Sequence, residues 1–187
     1  MNCCNSTASG DDRRGFCGKL FALAGGAVAL LTPLGVGLAA FLHPLRKKAD
    51  GGGFVRVTTL AAVPDDGVPR KFAVVTDRVD AWTRFANEPV GAVFLRRQKG
   101  ATTITALQAE CPHAGCAVNY DATAGGQFLC PCHIAHFGLD GARTDAVSPS
   151  PRDMDPLDVE LRGEKKDEVW VRFQAFVNNQ AERVVRG

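Results

Sequence analysis

Six residues within 23 positions could do chemistry in this chain: Cys111, His113 and Cys116, then, after thirteen intervening residues, Cys130, Cys132 and His133. They stand in two short loops, Cys-Pro-His-Ala-Gly-Cys and Cys-Pro-Cys-His. Sulfur and imidazole donors at this density serve three kinds of chemistry. A [2Fe–2S] cluster with two Cys on one iron and two His on the other takes one Cys and one His from each of two loops. Cys111, His113, Cys130 and His133 provide that set. Zinc also accepts Cys and His in a tetrahedral set of four, which leaves two thiols without a role. Two plain disulfides of an exported domain would leave both histidines idle.

The remainder of the chain divides by composition. From Leu20 to Leu42 run 23 residues without a charge, rich in Leu, Ala, Val and Gly, enough to span the hydrocarbon core as a helix. Pro33 and Gly25, Gly26, Gly35 and Gly37 would weaken a soluble helix but are commoner in membrane ones. A transmembrane anchor is therefore expected over residues 20–43, with His43 at the lipid–water boundary. Residues 1–19 precede it and include Arg13-Arg14, which looks like a twin-arginine export signal ahead of its apolar stretch. Residues 44–53 end in Gly51, Gly52 and Gly53, whose backbone freedom reads as a flexible neck and, on composition alone, as an ordinary linker. Residues 1–49 hold six basic and two acidic residues, so a formal charge of +2 for the chain leaves the rest near −2. That balance argues against nucleic-acid binding, which needs a basic surface.

From Phe54 onward, β-branched and aromatic runs alternate with turn signals: residues 54–59, 70–75, 91–96, 102–107, 127–130 and 169–176. They predict an antiparallel β domain, with one short helical turn near residues 80–85.

Both loop spacings and all six residues resemble the Rieske iron–sulfur proteins of quinol–cytochrome bc complexes. Rieske ferredoxins and ring-hydroxylating dioxygenases generally lack the two extra cysteines. The resemblance implies an all-β Rieske head at residues 54–187, made of stacked antiparallel sheets with an inserted cluster-binding subdomain at about 108–147, plus one N-terminal transmembrane helix. It implies one [2Fe–2S] Rieske cluster on Cys111, His113, Cys130 and His133, a Cys116–Cys132 disulfide clipping the loops, and a proline loop at Ser148-Pro149-Ser150-Pro151. It further implies electron and proton uptake from quinol, chiefly at His133 with His113 second. It implies a mobile hinge at Gly51, Gly52 and Gly53, on which the head would travel between a cytochrome b subunit and a c-type cytochrome subunit. Such a chain is part of a quinol–cytochrome c oxidoreductase and does not turn over quinol alone. Twin-arginine export with a retained anchor implies a single-pass protein of the bacterial cytoplasmic membrane, N-terminus in the cytoplasm and head on the periplasmic side.

One departure is expected to matter. Ile134-Ala135-His136-Phe137 stands where high-potential relatives carry Gly-Ser-x-Tyr. Ala135 and Phe137 have no hydroxyl to donate to the cluster sulfurs, which points to a lower potential and to menaquinol as donor. His136 reads as a surface histidine, and Cys3, Cys4 and Cys17 as thiols without an assigned role. Two other functions use the same donors: the small Rieske subunit of a molybdenum oxidase such as arsenite oxidase, and a membrane-anchored zinc adaptor.

Overall fold

A computed structural model describes residues 13–46, 52–79, 83–145 and 147–186. Two compact units result, residues 1–48 and 49–187. In the first, helix α1 (Arg13–Arg46) is 34 residues long, beginning at the arginine pair and continuing through Pro33. Its Gly15–His43 portion is long and apolar enough to cross a membrane, and it exposes Phe21, Leu23, Leu30 and Phe41. Thr32, the one polar side chain between Leu20 and Leu42, donates its hydroxyl to the Val28 carbonyl at 2.7 Å. The apolar stretch thus keeps its side-chain polarity satisfied internally, as a hydrocarbon environment demands.

Among its described residues the second unit is built from ten strands: β1 (Phe54–Thr59), β2 (Arg70–Val79), β3 (Arg84–Arg97), β4 (Ile104–Gln108), β5 (Asn119–Asp121), β6 (Gln127–Cys130), β7 (Ala135–Phe137), β8 (Pro156–Leu157), β9 (Val159–Arg162) and β10 (Glu168–Arg172). They form three antiparallel sheets, ordered β1-β10-β9, β2-β3-β4-β8 and β5-β6-β7. The expected antiparallel β head is present.

Strand alternation explains how one sheet serves two cores. Side chains on a strand point to opposite faces in turn. Val93 and Leu95 of β3, with Ala106 of β4, face a core shared with Val169 and Val171 of β10. Phe94 and Leu107, one residue out of phase, face a second core with Phe128, Phe137, Cys111 and Cys130. The second core is the floor of the two Cys/His loops, so β3 and β4 couple the loops to the body of the head.

Some local expectations are corrected. Arg84 and Phe85 open β3 rather than forming a helical turn, and residues 80–82 lie outside the described residues. The β2–β3 hairpin wins because the Asp77 carboxylate receives hydrogen bonds from the Arg84 side chain and the Asn87 backbone N–H across the strands. The run 169–176 is strand only as far as Arg172; beyond it, Phe176 makes a single bridge to Val185.

Of the expected hinge glycines, Gly51 lies outside the described residues. Gly52 has φ +55° and faces the Phe173 carbonyl so closely that a Cβ would overlap it, whereas a Cβ at Gly53 meets open space. Gly52→Ala should therefore destabilise the head by about 2 kcal/mol or more, combining left-handed strain with a backbone clash. Gly53→Ala should be near neutral. Thermal unfolding of the detergent-solubilised chain checks the contrast; equal effects would place the glycine requirement elsewhere.

Candidate metal centre

Each loop is shaped by its backbone before its side chains act. In the first, between β4 and β5, the Cys111 N–H donates to the Cys116 carbonyl at 2.8 Å and the Gly115 N–H to the Cys111 carbonyl at 2.9 Å. Gly115 turns the chain at φ +77°, and the Glu110–Ala117 bridge closes the base. The second loop is the turn Pro131-Cys132-His133-Ile134 of the β6–β7 hairpin, closed by the Cys130–Ala135 pair. Its last residue, Ile134, sits at φ +57°. That conformation is an outlier for a β-branched side chain.

These loops sort sulfur from nitrogen. Cys111 and Cys130 are each 1% exposed, whereas His133 is exposed and His113 half-buried. The two imidazoles stand 4.6 Å apart, centroid to centroid, with ring planes at 72°. Cys116 and Cys132 are joined in a disulfide, with Cα atoms 6.5 Å apart. The sulfurs of Cys116, Cys130 and Cys132 lie within 4.8 Å of one another, which sets the disulfide directly against a buried thiol.

Electrostatics favour a metal-bound sulfur over a free thiolate. Burial pushes the Cys111 thiol up to about 11, opposed by backbone N–H donors of His113 and Ala114 and reinforced by the neighbouring Cys130 thiol. A bare negative charge is disfavoured in this pocket, yet amide donors already point at the sulfur. A cation that displaces the proton completes the arrangement. Two buried thiols and two outward imidazoles, one of each per loop, fit a [2Fe–2S] group with mixed ligation. The disulfide takes up the two thiols that any four-ligand site leaves over.

A family profile, the Rieske [2Fe-2S] domain, matches residues 59–159, which contain both loops. The chain belongs to the Rieske [2Fe–2S] family.

A Rieske domain binds a [2Fe–2S] cluster, and the fold, disulfide and apolar helix described above agree with that membership. The chain is 29% identical over 134 residues to the menaquinol:cytochrome c reductase iron–sulfur subunit of Bacillus subtilis (strain 168), covering 71% of this chain and 72% of that protein. It is 30% identical over 140 residues to the cytochrome b6-f complex iron–sulfur subunit of Chlorobaculum thiosulfatiphilum, covering 75% of this chain and 66% of that protein. Among solved structures, the cyanobacterial plasma membrane Rieske protein of Synechocystis PCC 6803 aligns with a TM-score of 0.43 at 26% identity, over 64% of this chain and 99% of that one.

The remaining expected positions fall as follows. Ala135 and Phe137 are fully buried on the Rieske loop floor, Ala135 opposite Cys130 and Phe137 opposite Phe128. His136, between them on β7, points the other way, with Nδ1 3.3 Å from Gln127 Oε1. In the proline loop, Ser150 is buried and donates to the Arg152 carbonyl at 2.7 Å. Arg13 and Arg14 open α1, but their side chains lie outside the described residues.

Sequence reading missed the support behind the first loop. The Asn179 N–H donates to the Pro112 carbonyl at 2.8 Å, and Asn178 Nδ2 donates to Glu110 at 3.1 Å. Asn178-Asn179 is legible as a turn, but nothing local connects it to a loop more than sixty residues earlier.

If the disulfide is the clip, replacing Cys116 and Cys132 together by serine should cost about 3 kcal/mol of chain stability. It should also hasten loss of the bound cluster at least ten-fold. Iron release followed by visible absorbance on the full-length chain checks this, and an unchanged cluster lifetime would leave the bond a purely global brace.

Proposed function

We propose that this chain is the membrane-anchored Rieske electron-transfer subunit of a bc-type complex, taking one electron with a proton from a quinol of the menaquinol kind and passing the electron to a c-type cytochrome. The observation that carries this reading is the sorting at the site: paired imidazoles, His133 exposed and His113 half-buried, over buried thiols. Relatives named as subunits of quinol-oxidising and b6-f complexes support it.

Cys111, His113, Cys130 and His133 would hold the cluster, which when bound supplies a one-electron acceptor. His133, exposed in the β6–β7 turn, presents its unligated ring nitrogen as acceptor for a quinol hydroxyl and takes the proton as the electron leaves. His113, 4.6 Å away, is the second contact. Ile134, 59% exposed beside His133, offers apolar surface to the quinol ring. Buried Cys111 and Cys130 keep water from the inner side of the site. Helix α1 anchors the chain in the cytoplasmic membrane with its N-terminus in the cytoplasm and the head outside, exported through the Arg13-Arg14 signal. The chain between α1 and Gly52, which is itself packed on the head at Phe173, tethers the 54–187 head as it moves between a cytochrome b subunit and a c-type cytochrome.

Purifying the full-length chain from its membrane should recover a cytochrome b subunit and a c-type cytochrome, and the complex should reduce cytochrome c with a menaquinol analogue. Recovery with a molybdopterin subunit, or quinol turnover by the isolated chain, would contradict the proposal.

Ala135 and Phe137 bear on which quinol. Each missing hydroxyl donor to a charged sulfur is worth about 1.5 kcal/mol, and about 1.4 kcal/mol corresponds to 59 mV for one electron. Voltammetry of the Ala135→Ser, Phe137→Tyr double variant should therefore show a potential higher by roughly 100 mV. No rise would mean that other groups already donate there, and the preference for menaquinol would lose its basis.

A further inference from the structure

Arg152 and Asp155 are the notable charged residues of the interior, 7% and 3% exposed respectively. The Arg152 guanidinium meets the Asp155 carboxylate with both arms of its fork, Nε to Oδ1 at 2.9 Å and Nη2 to Oδ2 at 2.8 Å. Its remaining arm, Nη1, donates to the Val177 carbonyl at 3.0 Å and the Gln180 carbonyl at 2.8 Å. A buried ion pair is weak evidence of stabilisation, since apolar side chains of similar size serve as well or better. Its placement suggests another use.

Three segments that converge on the first Cys/His loop pass through this pair. The Asp155 carbonyl accepts from the Gln108 N–H at 2.9 Å, at the end of β4 three residues before Cys111. Between the two charged residues, Met154 packs in the same core as Cys111 and Cys130. The tail that Nη1 captures carries Asn179, whose N–H holds the Pro112 carbonyl, and Asn178, whose amide holds Glu110.

We propose that Arg152 is a positioning and potential-setting residue of the Rieske centre: it locks the C-terminal tail onto the first ligand loop and places a permanent buried cation behind Cys111. This rests on Cys111 being a cluster ligand.

The Arg152 guanidinium is held charged first by its hydrogen bonds to Asp155, against the opposing effect of burial, and also by the charge of Asp155. Met154, between the two charged residues, packs in the core that holds Cys111, and Asp155 is tied to Gln108, three residues before Cys111, so the pair stands in the low-dielectric interior behind that sulfur. A buried cation there favours the more negative, reduced state of whatever the sulfur ligates, while Asp155 moderates the effect. Arg152 in this way offsets part of the deficit left by Ala135 and Phe137.

Voltammetry on the full-length, cluster-loaded chain tests the proposal through opposite signs. Arg152→Gln should lower the potential by about ten-fold in the reduction equilibrium, near 59 mV for one electron. Asp155→Asn, which leaves the cation uncompensated, should raise it. Arg152→Lys keeps the charge but loses the fork, so its potential should stay near wild type while amide hydrogen exchange over residues 177–181 becomes at least ten-fold faster. A purely structural pair would change stability and exchange but leave all three potentials equal, and that result would overturn the proposal. Should Arg152→Gln fail to fold, the Asp155→Asn and Arg152→Lys variants carry the same contrast. Failure of the underlying ligand assignment shows separately, as full iron content in Cys111→Ala.

Discussion

The covalent tie between two ligand loops that the chain brings together from different strands is the constraint on which the rest of the structure depends. Cys116 lies in the connection from β4 to β5, and Cys132 lies at the tip of the β6–β7 hairpin. With the Cα atoms of Cys116 and Cys132 6.5 Å apart in a disulfide, Cys111 and Cys130 share one interior, and the two imidazoles meet outside it. Without the tie, the inner and outer halves of the site would belong to two independently moving loops.

The head supplies a floor for this clip rather than a cavity. Phe128 and Phe137, both fully buried, and Phe94, 3% exposed, support the thiols from below, with the Phe94 and Phe128 rings 4.7 Å apart. Because Phe94 sits on β3 between Val93 and Leu95, the floor cannot shift without disturbing the larger core on the other face of that strand. Rigidity at the site thus derives from the two-faced use of one strand. The exposed rim is different in kind: Ile134 holds a conformation that β-branched residues avoid. Such strain persists where surrounding structure imposes it, and here the hairpin closure at Cys130–Ala135 and the disulfide at Cys132 lie on either side.

Much of this was legible in the sequence because its signals were local. The six donors announce their chemistry by spacing, the apolar run of α1 by length, and β1 and β6 by composition. What was not legible depended on distant partners. Strands β5, β7 and β8 are two or three residues long and exist only through pairing, so no pattern marks them. Gly52 looked like a free link, but its positive φ and its approach to Phe173 join it to a segment over a hundred residues away. Arg152 follows the proline loop with no local mark of burial; only the tail carbonyls of Val177 and Gln180 reveal its position.

The central claim is that the two loops place two imidazoles on one iron and two thiolates on the other. Pulsed EPR of the reduced full-length chain labelled with 15N-histidine tests it most directly, together with iron analysis. The account predicts two irons per chain and two strongly coupled histidine nitrogens, both retained in His136→Gln. A signal without histidine coupling, a coupling lost with His136, or zinc in place of iron would contradict it.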